Sequence, residues 1–178
     1  IAQEIGFWSS LSDCAEQSLI AHPQGENLEA MPQTLTLELT AKETEILGKI
    51  SGLYHAQLND LLLAALALAF CRWQDVSTGN WLILLEGHGR ESLFSDTDLT
   101  HTVGWFTTMF PVLIKKSVAA GFVEMLQYVK EELRRIQPHA LSYGVLRDLG
   151  HNQEVAQTLK QLTAKISFNY LGKFDAFP

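Results

Sequence analysis

The sequence predicts a mixed α/β domain, a two-layer sandwich of a mixed β-sheet and helices. Three observations lead there. Helical and extended segments interleave along the chain. The run Trp81–Glu86, W-L-I-L-L-E, is apolar, of strand length and preceded by a polar turn. Residues 119–136 put Phe122, Met125, Leu126, Val129 and Leu133 on one helical face, which needs a surface to cover.

Each element follows from its pattern. Residues 4–18 repeat at helical spacing, with Ile5, Trp8, Leu11 and Cys14 on one side. Residues 22–33 hold two prolines and a glycine and read as a loop. Thr34–Thr40, T-L-T-L-E-L-T, alternates strictly, the signature of a half-buried strand. Thr40 and Glu43 form a capping box that starts a helix over 41–51. Asn59 is positioned to cap the next helix, through Trp73, which is apolar nearly all round and so belongs inside. Residues 75–80 make a turn before the Trp81 strand, and 87–101 are polar and irregular. Val103–Ile114 reads as extended, with Pro111 at an edge or bulge. After the 119–136 helix come a break at Gln137–Leu141, a short helix at Tyr143–Leu149 and another at Val155–Leu162. Ile166–Leu171, I-S-F-N-Y-L, is a last strand stopped by Gly172.

Composition narrows the function. The 178 residues are 47% hydrophobic and 19% charged, as in a compact globular domain with a proper core. Thirteen basic against twenty acidic residues leave a net charge of −7, with no basic strip, which argues against nucleic acid as a partner. The apolar run Leu61–Phe70 is too short to span a bilayer. Cys14 and Cys71 read as free, reduced thiols, and with no secretory leader visible the expectation is a cytoplasmic protein. The first residue is Ile, which suggests a piece of a longer polypeptide.

Chemistry concentrates where the Trp81 strand stops, in E-G-H-G-R-E. A strand delivers Glu86 rigidly, and Gly87 and Gly89 allow positive φ and close backbone approach. A carboxylate at the end of a buried strand is expected to be desolvated, which raises its pKa toward the range of a general acid or base. Pairing with Arg90 would pull the other way, and a structural Glu86–Arg90 pair beside a glycine turn is the alternative. His88 is a base or ligand candidate, or a solvent-facing turn residue. No second His or Cys stands at metal-ligand spacing, so no metal site is expected. A dinucleotide loop would need a third glycine and a following helix. Thr102–Thr108, T-V-G-W-F-T-T, places Gly104 beside Trp105 and Phe106, with Thr107 among the hydroxyls available for polar contacts; an aromatic core strand is the other reading. In F-N-Y-L-G, Asn169 and Tyr170 fall on opposite faces of one strand, and either needs a partner if buried.

Taken in order, E-G-H-G-R-E, T-V-G-W-F-T-T-M-F-P-V, Y-G-V-L-R and F-N-Y-L-G resemble the motifs of epimerization domains of nonribosomal peptide synthetases, and the likeness spans essentially the whole chain. The resemblance implies the two-lobed fold of chloramphenicol acetyltransferase and condensation domains, with this chain as the C-terminal lobe. It implies a partner carrier protein whose phosphopantetheine arm presents an aminoacyl or peptidyl thioester, contacts with the N-terminal lobe and adjacent synthetase domains, and L-to-D exchange at Cα without a metal or other bound cofactor. It places the acid/base carboxylate on Glu86 and implicates Asn169 and Tyr170, with His88 and Arg90 less firmly; Trp105 and Thr107 join as supporting residues of the T-V-G-W-F-T-T motif. The family's second catalytic group lies in an H-H-x-x-x-D-G motif, and no two histidines here are adjacent, so the chain is expected to be inactive alone. His101 stands where that family has Arg, and Ala140 and Ser142 stand where it has glycines, which puts the local loop geometry in question. A condensation lobe forming peptide bonds and a non-catalytic carrier-docking lobe are the alternatives. An isolated lobe would expose an apolar wall around Trp105 and Phe106 and self-associate; a monomer by light scattering at high concentration would refute that.

Overall fold

A computed structural model describes residues 2–12, 32–73, 80–90, 98–115 and 121–172. The expectations for Cys14, for most of the 22–33 loop and for most of the 75–80 turn lie outside these residues.

The chain forms α1 (Ala2–Ser12), α2 (Ala41–Leu53), α3 (Leu58–Trp73), β1 (Asn80–Gly87), β2 (Thr108–Lys115), α4 (Phe122–Ile136), α5 (Ala140–Gly144), α6 (Gln153–Gln161) and β3 (Ile166–Phe168). A 3₁₀ turn, Gln137–His139, joins α4 to α5, and one π-helical stretch, Val145–Leu149, extends α5. The sheet has the order β2-β1-β3, antiparallel on one side and parallel on the other, so the mixed α/β reading holds.

β1 is the axis of the fold. Trp81, Leu82, Ile83 and Leu85 are all buried, so both faces of this central strand are covered. Trp81 meets Phe70 of α3 at 6.1 Å between ring centroids. Leu84, on the other face, lines a cavity with Tyr143 and Leu159. β2 is an edge strand, which is why it tolerates Pro111. Its outer edge is partly satisfied from α4: the Tyr128 hydroxyl accepts from Lys115 N at 3.1 Å and donates to Leu113 O at 3.2 Å. α4 buries Met125, Leu126, Val129 and Ile136 against α3 and β2. Cys71 is buried on α3.

Three expectations need correction. Thr34–Thr40 is in no strand; Leu35 and Leu37 are 95% and 82% exposed. Alternation predicts a half-buried strand only where a sheet edge is at hand, and no described strand pairs with it. The capping box that follows does form, with Thr40 Oγ1 accepting from Glu43 N and Glu43 accepting from Thr40 N. Asn59 is not the cap of α3. The helix begins one residue earlier, and Asp60 accepts from Gln57 N at 2.8 Å. The final strand stops at Phe168, so Asn169 and Tyr170 lie beyond it rather than on opposite faces of it.

Candidate active site

β1 carries Glu86 to the end of the sheet, opposite Met109 of β2. β3 runs parallel to β1 with Leu85 beside Phe168, so the next residue on that side, Asn169, arrives alongside Glu86. Asn169 Nδ2 donates to Glu86 Oε2 at 2.8 Å. The Glu86 carboxylate is exposed, not desolvated as the end of a buried strand suggested, because the sheet stops there and the chain opens into a cleft. That cleft has a volume of about 320 Å³, and Glu86 and His88 form one wall of it. The α2–α3 turn supplies His55, α3 supplies Asp60, and α4 supplies Lys130 and Arg134.

Arg90 does not pair with Glu86. Its guanidinium donates to Leu99 O at 2.6 Å and Thr102 O at 3.0 Å, and lies 4.3 Å from the centre of the Phe106 ring. It fastens the returning T-V-G-W-F segment to the end of β1. Gly89 makes the same junction possible. Its φ is +64°, and a Cβ there would stand 1.6 Å from Phe106 O. His88 Nδ1 accepts from Arg90 N at 3.0 Å, which fixes the ring against the turn. Gly87 stays in the strand register opposite Thr108 and needs no positive φ. Trp105 is 89% exposed, so this stretch is not a buried core strand, and Thr107 is exposed beside it. Neither residue lines the cleft, nor does half-buried Tyr170. Of the predicted site residues, then, Glu86 and His88 line the cleft, Asn169 is not among its lining residues but holds Glu86 by a hydrogen bond, and Arg90 has a bracing role. Among the described residues no group of three His, Cys, Asp or Glu side chains is arranged to hold a metal, and no single helix is long and apolar enough to cross a membrane.

Sequence reasoning missed His55, Asp60, Lys130 and Arg134 as cleft residues. His55 adopts φ 47°, a left-handed conformation rare outside glycine, and no local signal announces it. Lys130 and Arg134 are four residues apart on α4, a helical spacing that puts both on one face, and that spacing could have flagged them.

A second polar cluster joins α1 to α5. His139 Nδ1 donates to Glu4 Oε2 at 2.9 Å, Ser142 Oγ donates to the same oxygen at 2.5 Å, and Trp8 Nε1 donates to Ser142 Oγ at 2.9 Å. Burial pushes the Glu4 carboxyl up, but the hydrogen bonds from Ser142 and His139 and the nearby imidazole charge outweigh it and hold Glu4 below the usual glutamate value. The Ala140 and Ser142 departures need no glycine backbone: Ala140 has ordinary right-handed helical angles, and both residues sit in α5.

The family model for the condensation domain matches residues 1–177. The chain belongs to the condensation-domain family. It is 42% identical over 171 residues to a linear gramicidin synthase subunit of Brevibacillus parabrevis, covering 94% of this chain and 3% of that protein. It is 35% identical to surfactin synthase subunit 1 of Bacillus subtilis (strain 168), covering 97% of this chain and 5% of the synthase. Among solved structures, the epimerization domain from the third module of tyrocidine synthetase B superposes with a TM-score of 0.82 at 34% identity, over 97% of this chain and 38% of that one. A condensation domain of the calcium-dependent antibiotic synthetase matches at TM-score 0.65 and 16% identity over 94% of this chain and 36% of that one, a likeness of fold alone. This condensation-family domain of nonribosomal peptide synthetases thus spans a small share of its curated relatives and less than half of the solved epimerization domain.

Proposed function

We propose that this condensation-family chain is the C-terminal lobe of an epimerization domain, exchanging the Cα proton of an aminoacyl or peptidyl thioester carried on the phosphopantetheine arm of a carrier protein. The observation that supports it best is Glu86, presented by β1 to an open cleft and oriented by Asn169 through a single hydrogen bond. One donor fixes the carboxylate while its other oxygen remains available to a substrate. The thioester carbonyl acidifies Cα–H. The C–H bond breaks, its proton passes to Glu86, and the electron pair moves through the carbonyl onto oxygen. Return of a proton to the opposite face inverts the centre. The group on that face belongs, in this reading, to the N-terminal lobe, so this chain alone is inactive. Its partners are that lobe, the carrier protein and the neighbouring synthetase domains, with no cofactor beyond the carrier's arm, and its place is the cytoplasm. The far higher identity to the solved epimerization domain than to the solved condensation domain favours exchange over peptide-bond formation.

The test joins the chain to the rest of its domain and supplies a carrier loaded with an L-aminoacyl group tritiated at Cα. Release of label to water, lost in Glu86→Gln, supports the proposal. Retained label with tight carrier binding would make it a docking lobe, and peptide formation with a second acceptor carrier a condensation lobe.

A further inference from the structure

Resting on that reading, we propose that Arg134 is a further catalytic residue, the donor that holds the negative charge developing on the thioester oxygen when the Cα proton leaves. The reaction moves an electron pair onto that oxygen, so the cleft needs a fixed positive donor facing the base. Three other basic side chains line the cleft, and each is less available. Lys130 Nζ already gives one of its three N–H donors to Tyr54 O at 2.8 Å. His88 has its Nδ1 occupied by Arg90 N. His55 is exposed, and an imidazole offers at most two N–H donors where a guanidinium offers five. Arg134 lines the cleft and is exposed, and its guanidinium, a cation with five N–H donors, makes no hydrogen bond or ion pair with any described residue.

Position agrees with this role. Arg134 sits in the last turn of α4 and Glu86 at the end of β1, on different elements lining one cavity. They form no ion pair with each other. The cavity, about 320 Å³, lies within the roughly 300–1,000 Å³ of ordinary ligand sites, so an aminoacyl thioester head fits between them. Glu86 then takes the proton while Arg134 receives the charge that the departing proton leaves behind. An arginine presents several N–H donors in a rigid fork, and a planar enolate oxygen accepts from such a fork without reorganisation.

The experiment measures tritium release by the complete domain with its loaded carrier, for the parent, Glu86→Gln, Arg134→Met and Arg134→Lys. Arg134→Met is expected to lower kcat on the order of 100-fold with KM for the loaded carrier little changed. Arg134→Lys should retain an intermediate rate, and added guanidinium ion should restore part of the Arg134→Met activity. The loss should shrink with a phenylglycyl thioester, whose Cα–H is intrinsically more acidic and leans less on the donor. A purely structural role would produce neither the guanidinium rescue nor the dependence on Cα acidity. If Glu86→Gln abolishes release while Arg134→Met stays within about twofold, or raises only KM, the Arg134 assignment is overturned and the Glu86 reading stands. If Glu86→Gln releases label normally, the epimerase reading itself is lost. Should Arg134→Met melt early by circular dichroism, Arg134→Lys and Arg134→Gln carry the same comparison, and a full rate in both overturns the assignment.

Discussion

Glu4 and Glu86 are both held by side-chain hydrogen bonds from distant parts of the chain, and their surroundings differ. Glu4, between α1 and α5, accepts from His139 and from Ser142, and Ser142 is held in turn by Trp8. Glu86, at the end of β1, accepts from the Asn169 side chain and faces a cleft. A carboxylate surrounded by donors is stabilised as an anion and is a poor proton acceptor. A carboxylate with one orienting donor and one open oxygen is free to exchange a proton. Sequence cannot separate the two, because both are Glu residues near apolar runs. What differs is how many donors distant parts of the chain bring to them.

That contrast can be broken or sharpened by substitution. The largest effect is expected at Glu86. In the complete domain, Glu86→Gln should reduce tritium release on the order of 100-fold or more, with the melting temperature nearly unchanged. A large loss of stability would instead make Glu86 a structural residue like Glu4. Next comes Gly89→Ala. The added Cβ meets Phe106 O and φ is already +64°, so a destabilisation of about 1–3 kcal/mol is expected by denaturant titration, with loss of activity as the end of β1 shifts. Asn169→Ala removes the one side-chain donor on Glu86 among the described residues; a fall of about tenfold in kcat, close to one hydrogen bond, should leave stability intact. The smallest effect is at the other glutamate. Glu4→Gln should cost roughly 1 kcal/mol of stability and nothing in tritium release. Its sign with pH follows from its depressed pKa. The stabilisation is fully present above the ordinary glutamate value and is lost as pH falls through the lowered one, so thermal melts should separate parent from variant at neutral pH and bring them together at low pH.

Much of the frame was legible. The apolar run ending at Glu86 marked β1 almost to the residue, the Thr40–Glu43 box marked the start of α2, and the spacing of Met125, Leu126 and Val129 marked α4, because local patterns fix all three. Of the edge or bulge that Pro111 suggested, the structure shows the edge. The errors share one cause. Thr34–Thr40 has the alternation of a strand, but pairing depends on another segment. Arg90 looked like the partner of Glu86 because it is near in sequence, whereas the structure gives that place to Asn169, 83 residues away. Ser142 looked like a loss of glycine flexibility, yet it completes a contact with Trp8 across 134 positions. The spacing of Lys130 and Arg134 marks one face of α4, but only the fold brings that face to the end of β1.

The parallel pairing of β1 with β3 has a kinetic consequence. Antiparallel β1 and β2 meet after a short excursion, but β3 can dock only once α4, α5 and α6 have formed and returned the chain to the same side. Closing so long a loop carries an entropic cost that local contacts cannot offset early. Refolding molecules should therefore pair β1 with β2 first and bring Asn169 beside Glu86 last.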